Sequence, residues 1–422
     1  MSRRPVAFAT LFLAGCGQSP APATPAAPPV PPPAPVVGAL PEAPPPRPAS
    51  ARTADAAAAV AFLLKQQSAD GTWRSDMYAA FKDGTALTPL VLTALQDAAD
   101  AGLPGPDTAA ARRKASDYLA GFATADGGIR EPAGGFDYPV YTAALALRAL
   151  SHPENRDRTA AKAAWAKYLL ARQLTEQNGW QPGDPHYGGW GYCRVVPKKP
   201  ESDGFAPPLT ESNLSATAYA LEALRAAGLL SPAVAGPAGQ VLAGWQNHLP
   251  PVPGIRPPGW DPGDGGFFFV LADPVRNKAG LYDVVSPDAG AAAVPPRRFG
   301  SYGSATADGL RALLSLGDRP DAATRLRADR AADWLKAHFR ADAHPGQYAP
   351  AMESNRDAVY FYYAASAAKA FRAANLALPG GRGWATELDH ELAKRQLADG
   401  SWANPIELVR ENDALVATSQ AL

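Results

Sequence analysis

From Thr53 onward, stretches in which Ala and Leu recur at helical spacing alternate with short turns rich in Gly, Asp and aromatic residues, and no stretch sustains the period-two alternation of a strand. The pattern predicts an all-helical domain. The turns line up first, as "SADGTW" at 68–73, "TADGGI" at 124–129, "EQNGW" at 176–180, "GDGGFFF" at 263–269, "HPGQY" at 344–348 and "LADGSW" at 397–402. The helical stretches behind them align as well, running from "TPLVLTAL" through "TAALALRAL", "TAYALEAL", "TADGLRALL" and "YYAASAAKA" to "TSQAL". All but one open on a threonine, at Thr88, Thr142, Thr217, Thr306 and Thr418. Upstream at a constant spacing stand Asp83, Asp137, Ser212, Ser301, Asp357 and Asp413. Their side-chain oxygens can accept from a free N–H of a first helical turn, so they are the expected N-caps.

A fixed period of this kind signals a repeat architecture. Pairing each earlier helix with a later one gives hairpins at roughly 53–66 with 86–101, 107–122 with 139–151, 157–174 with 212–228, 234–248 with 302–316, 320–339 with 353–374 and 383–397 with 412–422. The later helices are apolar nearly all round, as helices packed on both sides must be, whereas the earlier ones carry charged faces such as "ARRKASDYLAGF". The expected fold is therefore an all-α, (α/α)6 toroid over 53–422, with the later helices inside. An open superhelical stack is the rival, and the tryptophan turns in both the first and the last unit favour closure.

The front of the chain breaks the pattern. Arg3 and Arg4 precede the apolar run "PVAFATLFLAG", which ends at Cys16, the layout of a signal peptide over 1–15. Its end, "LAGC", resembles the bacterial lipobox, and the resemblance implies acylation of Cys16 and a lipid anchor in the cell envelope. Gly17 follows the cysteine where an inner-membrane protein would commonly carry Asp, which favours the outer membrane. Residues 16–52 are mostly Pro and Ala, a composition that prefers extended polyproline II and reads as a stalk. No apolar run reaches the roughly 18 residues of a spanning helix. Lys plus Arg and Asp plus Glu both number 40 in the 422 residues, so no net field draws the chain to nucleic acid. Once Cys16 is lipidated, Cys193 is the remaining thiol and the toroid has no internal disulfide to lean on.

Gln, a short spacer, Gly and Trp after a helix resemble the QW repeat of squalene cyclases and protein prenyltransferases. "QQSADGTW" and "RQLADGSW" carry the match, and "RQLTEQNGW" is a stretched version. The resemblance covers about 53–422 and implies the same α/α toroid, while the chemistry must be argued from the site. Class II cyclases of that family protonate their substrate with D-x-D-D-T-A at the start of an inner helix. The counterpart here is "NLSATA", with Asn213, Ser215 and Ala216 in place of the acids. Prenyltransferases hold zinc through Asp-x-Cys and a later His, but Cys193 follows Gly191 and Tyr192. Asp184, His186 and Cys193 are the nearest set of ligand types, at no established spacing. No cofactor is expected.

Long insertions precede the inner helices of the third and fourth units and lead to one mouth of the ring, a common place for a binding site. Trp190, Tyr192, Trp260, Phe267 and Tyr302 are the candidate lining residues, with Tyr360 and Tyr363 added because they lie three apart on one helical face. Each would serve equally well as packing. Asp137, Asp357 and Asp413 are accounted for as caps, whereas Glu211, Asp261, Asp264 and Glu353 are less so. Asp264 and Glu211 become the catalytic candidates if the chain is an enzyme. The expected function is binding of a ligand or an envelope partner at the loop-decorated mouth, without the family's cyclase or zinc chemistry. The alternative is a divergent terpene-cyclase-like enzyme, or a carbohydrate-active hydrolase or lyase with two carboxylates facing the cavity.

Overall fold

The computed structural model describes residues 53–201, 209–248, 263–271, 273, 276–283, 297–348 and 350–422. The signal segment, Cys16, the Pro/Ala stalk, Trp260 and Asp261 lie outside the described residues. Twelve α-helices are found among them. The outer set is α1 (Ala56–Lys65), α3 (Ala109–Ala120), α5 (Thr159–Leu170), α7 (Pro232–Trp245), α9 (Ala322–His338) and α11 (Trp384–Arg395). The inner set is α2 (Leu87–Asp100), α4 (Pro139–Ser151), α6 (Leu214–Ala226), α8 (Gly303–Ser315), α10 (Tyr360–Ala373) and α12 (Ala414–Ala421). Each inner helix packs against the next, and α12 packs against α2, so the ring is closed. Among the described residues the one sheet is a short antiparallel pair, β1 (Leu281–Asp283) and β2 (Arg297–Phe299), in the insertion before α8.

Burial follows the sequence pattern. Every residue of α8 from Gly303 to Leu313 is buried, while α9 buries only Ala331, Ala332, Trp334 and Leu335. The small side chains of α8 let it touch neighbours on both sides. Gly309, for example, lies under the Phe267 ring, where an added Cβ would come within 2.5 Å of ring carbons.

The repeated turn is a joint between units. In four units a glutamine at the end of the outer helix donates from Nε2 both to the glycine carbonyl of its own turn and to a carbonyl at the start of the next outer helix. Gln67 reaches Gly71 (3.0 Å) and Ala111 (2.9 Å), Gln173 reaches Gly188 (2.9 Å) and Val234 (3.0 Å), and Gln246 reaches Gly265 (2.9 Å) and Arg327 (2.8 Å). Gln396 reaches Gly400 (2.8 Å) and Asp55 (2.9 Å), and its Oε1 accepts the Asp55 N–H at 2.8 Å. The last unit is thus latched to the first, across 341 residues. The glycine is required because its φ is positive and the next outer helix presses on it. A Cβ on Gly400 (φ +89°) would lie 2.6 Å from the Ala58 backbone.

The tryptophan completes the joint. Trp73, Trp190 and Trp402 donate their indole N–H to Leu63, Leu169 and Leu392, carbonyls in the last turn of their own outer helix. The backbone N–H of Trp73, Trp190, Phe267 and Trp402 goes to the hydroxyl of Thr88, Thr217, Thr306 and Thr418 at 3.0–3.1 Å. Those threonines therefore face outward, toward the turn.

Two expectations need correction. The third unit's turn is not 176–180. Leu174 and Gly188 bond to one another directly, so residues 175–187 form an excursion, and Trp190 takes the repeat position. Trp180 packs separately, with Leu174 and Tyr187. The expected caps also fail in all units but the last, where Asp413 accepts from Leu415 N–H at 2.9 Å. In the other units α2, α4, α6, α8 and α10 begin one to three residues later than the cap register requires, on Ala86, Tyr138, Asn213, Tyr302 and Val359, and of these only the Asn213 side chain caps. Asp83 instead accepts from Thr85 within its own loop, and Asp137, Ser212, Ser301 and Asp357 bond to neighbouring loops. Their shared spacing reflects loop fixation ahead of the helix.

Candidate functional site

The outward-facing threonines set what the axis sees. Two residues along a helix is a rotation of about 200°, so positions two before and two after each threonine point the opposite way, inward, and form an i,i+4 pair. The central cavity is lined accordingly by Ala86 and Leu90 of the α2 stretch, Ser215 and Tyr219 of α6, Ser304 and Asp308 of α8, and Val416 and Gln420 of α12. On α4 the pair is Tyr141 and Leu145, one residue out of phase with Thr142, and on α10 the inward residue is Tyr362. All six inner helices thus contribute near their N-termini.

The cavity measures about 360 Å³. Loops complete it with Tyr78, Phe81, Tyr192, Phe269, Lys278 and Tyr302, and the segment 407–410 lies across it. The tyrosines are organised by hydroxyl bonds. Tyr141 meets the Ser215 hydroxyl at 2.5 Å and the Tyr192 hydroxyl at 2.9 Å, and Tyr192 meets Ser215 at 3.2 Å. Burial pushes the phenols of Tyr192 and Tyr219 up to about 12, so these hydroxyls are neutral at physiological pH. The segment over the mouth is pinned by Arg410, whose guanidinium lies 5.1 Å from the Tyr78 ring and 5.2 Å from that of Tyr138. Glu411 next to it accepts the first N–H groups of α10, from Phe361 and Tyr362, at 3.0 and 2.8 Å.

Two acids line the cavity, Glu407 from the segment across it and Asp308 from α8. Asp308 accepts from the Tyr362 hydroxyl (2.7 Å), the Ser366 hydroxyl (2.5 Å) and Arg311 Nη1 (2.9 Å). Burial pushes its carboxyl up, against the pull of Arg311, Ser366 and Tyr362. Arg311 forks to Glu222 through Nε (2.7 Å) and Nη2, which spans α8 and α6. Burial acts to raise the Glu222 carboxyl, but Arg311 outweighs it and holds the group low. Arg148 and Asp97 pair at 2.6 Å between α4 and α2. The lower ends of the inner helices are therefore tied by ion pairs below an apolar chamber.

Of the sequence candidates, Tyr192 and Tyr302 line the cavity. Trp190 and Phe267 do not: they are the fully buried aromatics of the repeat, facing the outer helices. Tyr360 and Tyr363 share one face as expected, but it is the outer face. Their hydroxyls donate to Ala341 (2.7 Å) and Arg340 (2.9 Å). Asp264 is away from the cavity and saturated, by Gly266 N–H, the Ser301 hydroxyl and the Trp334 indole. Glu211 pairs with Arg276, and Glu353 with Arg356, which fixes loops. Asp184 is held by Lys199 at 2.7 Å, burial raises the Cys193 thiol, and the two do not join His186 in a ligand set. Among the described residues no group of three such side chains is placed to hold a metal ion. The sequence reading missed Tyr141, Tyr219, Lys278, Asp308, Tyr362 and Arg410. The threonine phase could have found Tyr219 and Asp308.

Fold and site together define a closed α/α toroid with an aromatic chamber on its axis. No protein-family model and no curated protein matches the chain. Among solved structures, the type II terpene cyclase MstE from Scytonema without ligand is 16% identical, over 86% of this chain and 96% of that one, with a TM-score of 0.47. The same cyclase as a variant in complex with geranylgeranyl dihydroxybenzoate is 15% identical, over 86% and 94%, with a TM-score of 0.45. A protein from Actinoplanes is 18% identical, over 86% and 95%, with a TM-score of 0.43. At such values the likeness decides nothing further, and the architecture rests on the helix contacts themselves.

Proposed function

We propose that the protein binds a single-chain apolar ligand, of isoprenoid or acyl type, in the axial cavity, without transforming it. The observation that carries the reading is the lining of that cavity, in which Tyr141, Tyr219, Phe269, Leu90, Leu145 and Val416 present rings and aliphatic groups from every side. Its volume of about 360 Å³ suits one small ligand. Each CH₂ buried there contributes about 0.8 kcal/mol. Such a wall gives a sugar few hydrogen-bond partners, which counts against the carbohydrate-active alternative.

A second reading is acid catalysis on an alkene, and Asp308 favours it as a buried acid at the cavity floor. A working proton donor must hold its proton and aim it at the substrate. Burial raises the Asp308 carboxyl, but two hydroxyl donors and a guanidinium engage its oxygens and pull toward the ionised form, so it is not aimed at a substrate. Titration calorimetry and native mass spectrometry with farnesol and dodecanol test both readings. Binding should be one-to-one and should be abolished by Ala305→Trp, which fills the chamber. Absence of binding by the wild type would sink the first reading, and turnover of farnesol derivatives that is lost in Asp308→Asn would establish the second.

We also propose that Cys16 anchors the chain to an envelope membrane, on the strength of the sequence "LAGC". Among the described residues no helix is long and apolar enough to cross a membrane. Labelled palmitate should enter the wild-type protein and not Cys16→Ser.

A further inference from the structure

We infer that the ligand is an amphiphile whose anionic head is received by Lys278 at the mouth of the axial chamber. This rests on the cavity being the binding site. Lys278 lines that cavity beside Phe269 and Tyr302. Among the described residues no acidic oxygen lies within ion-pairing distance of its ammonium, and no acceptor is bonded to it.

The insertion before α8 is built to hold this residue in place. On one side Asn277, which is fully buried, accepts from the Phe269 and Val270 N–H groups (2.8 and 3.2 Å) and donates to the Val270 and Asp273 carbonyls (2.5 and 3.0 Å). On the other side Ala279 bridges to Tyr348, and Gly280 N–H donates to the Gln347 carbonyl at 2.9 Å. These bonds fix the backbone from which the Lys278 side chain joins the cavity lining.

A desolvated ammonium among rings costs several kcal/mol unless an anion meets it. Burial pushes Lys278 down to about 8, and Glu411 is the one charge acting appreciably against that shift. Glu411 is already committed to the Phe361 and Tyr362 N–H groups and to Asn404 Nδ2 (3.0 Å). Asp308 is engaged by Arg311 at the far end of the chamber. Glu407 also lines the cavity but is exposed and is not ion-paired with Lys278. Among the described residues the cation is thus left without a bonded acid, and the missing counter-charge is supplied by the guest. Arg410 adds a second positive group at the same mouth, stacked on Tyr78 and Tyr138.

Dodecanoic acid, dodecyl phosphate and dodecanol share one chain and differ in the head, so their dissociation constants at neutral pH isolate it. The acid and the phosphate ester should bind roughly 10- to 100-fold tighter than the alcohol, the range of a hydrogen bond to a charged group. Lys278→Met should erase that preference and leave dodecanol within about threefold, whereas Lys278→Arg should keep it. Unchanged circular dichroism in both variants separates the head-group effect from misfolding, and Lys278→Arg carries the test if the methionine variant misfolds. Equal binding of acid and alcohol by the wild type, or a preference that survives Lys278→Met, overturns the inference and spares the cavity. If none of the three binds, the cavity reading falls and takes this inference with it.

Discussion

Replacing Gln396 with methionine should open the ring at a single joint. The side chain is buried, and among the described residues it makes three hydrogen bonds, to the Asp55 carbonyl, the Asp55 N–H and the Gly400 carbonyl. Methionine has nearly the same volume, so packing is retained while the polar partners are lost. At about 0.5–1.5 kcal/mol net for each bond, the joint is weakened by about 2–4 kcal/mol. The loss is local, because Asp55 also caps α1 by accepting from Ala58 N–H at 2.9 Å. Opening of α1 should therefore become easier by that amount, and amide exchange across Ala59–Lys65 should accelerate roughly 30- to 1,000-fold. Gln173→Met is the control. It removes the same kind of latch between the third and fourth units and should speed exchange in α7 while leaving α1 unchanged. Equal exchange of α1 in Gln396→Met and wild type would refute the claim that this glutamine closes the ring.

Gly400→Ala should cost about 3 kcal/mol in urea unfolding, since it adds a left-handed-backbone penalty to a clash 2.6 Å from Ala58. Gly127→Ala, at φ +76° with nothing within 4 Å, should cost only the backbone share of about 1–2 kcal/mol, and equal losses would show that the close approach is unimportant. Burial pushes the Glu411 carboxyl from its ordinary 4.5 up to about 7, against donors from Asn404, Tyr362 and Phe361. Its folded value is the raised one, so its contribution is complete below pH 4.5 and is lost as pH rises through about 7. Wild-type stability should accordingly fall between pH 5 and 7, by an amount of order 1–3 kcal/mol, and Glu411→Gln should flatten that part of the profile. An identical slope in the variant would assign the titration elsewhere.

The fold was legible because its signals are redundant. Helical spacing, glycine turns and threonine starts agreed on one register, and each has a separate physical cause in the joint that Gln, Gly, Trp and Thr build together. Where one signal stood alone it misled. "EQNGW" offered Gly179 and Trp180 at a plausible distance, yet Gln173 bonds to Gly188 and the repeat's tryptophan is Trp190, because an excursion of the chain leaves the glutamine and glycine close in space and far apart in sequence. The cap positions likewise carried the right residue types for another purpose.

The site was harder to see because aromatic content does not tell which way a side chain points. Trp190 and Phe267 stood out in Gly-rich loops, and they pack behind the inner helices, away from the cavity. Tyr360 and Tyr363 were placed correctly on one face, and only the neighbouring Tyr362 looks inward. What settles direction is the hydrogen bond from the turn to the threonine, which turns that face of the helix outward and assigns the axis to residues two steps away. Applied to "SATAYAL" and "SATADGL", this phase selects Ser215 and Tyr219, then Ser304 and Asp308. The inward positions of the two helices differ there by a tyrosine for an aspartate, and Arg311 rises to meet that acid from the next turn. An acid at an inward position of a buried helix is costly unless paired, and the pairing takes Glu222 of the neighbouring helix as well. The charged floor is therefore best understood as the structural consequence of one inward acid, and the apolar chamber above it as the part of the ring left open to a guest.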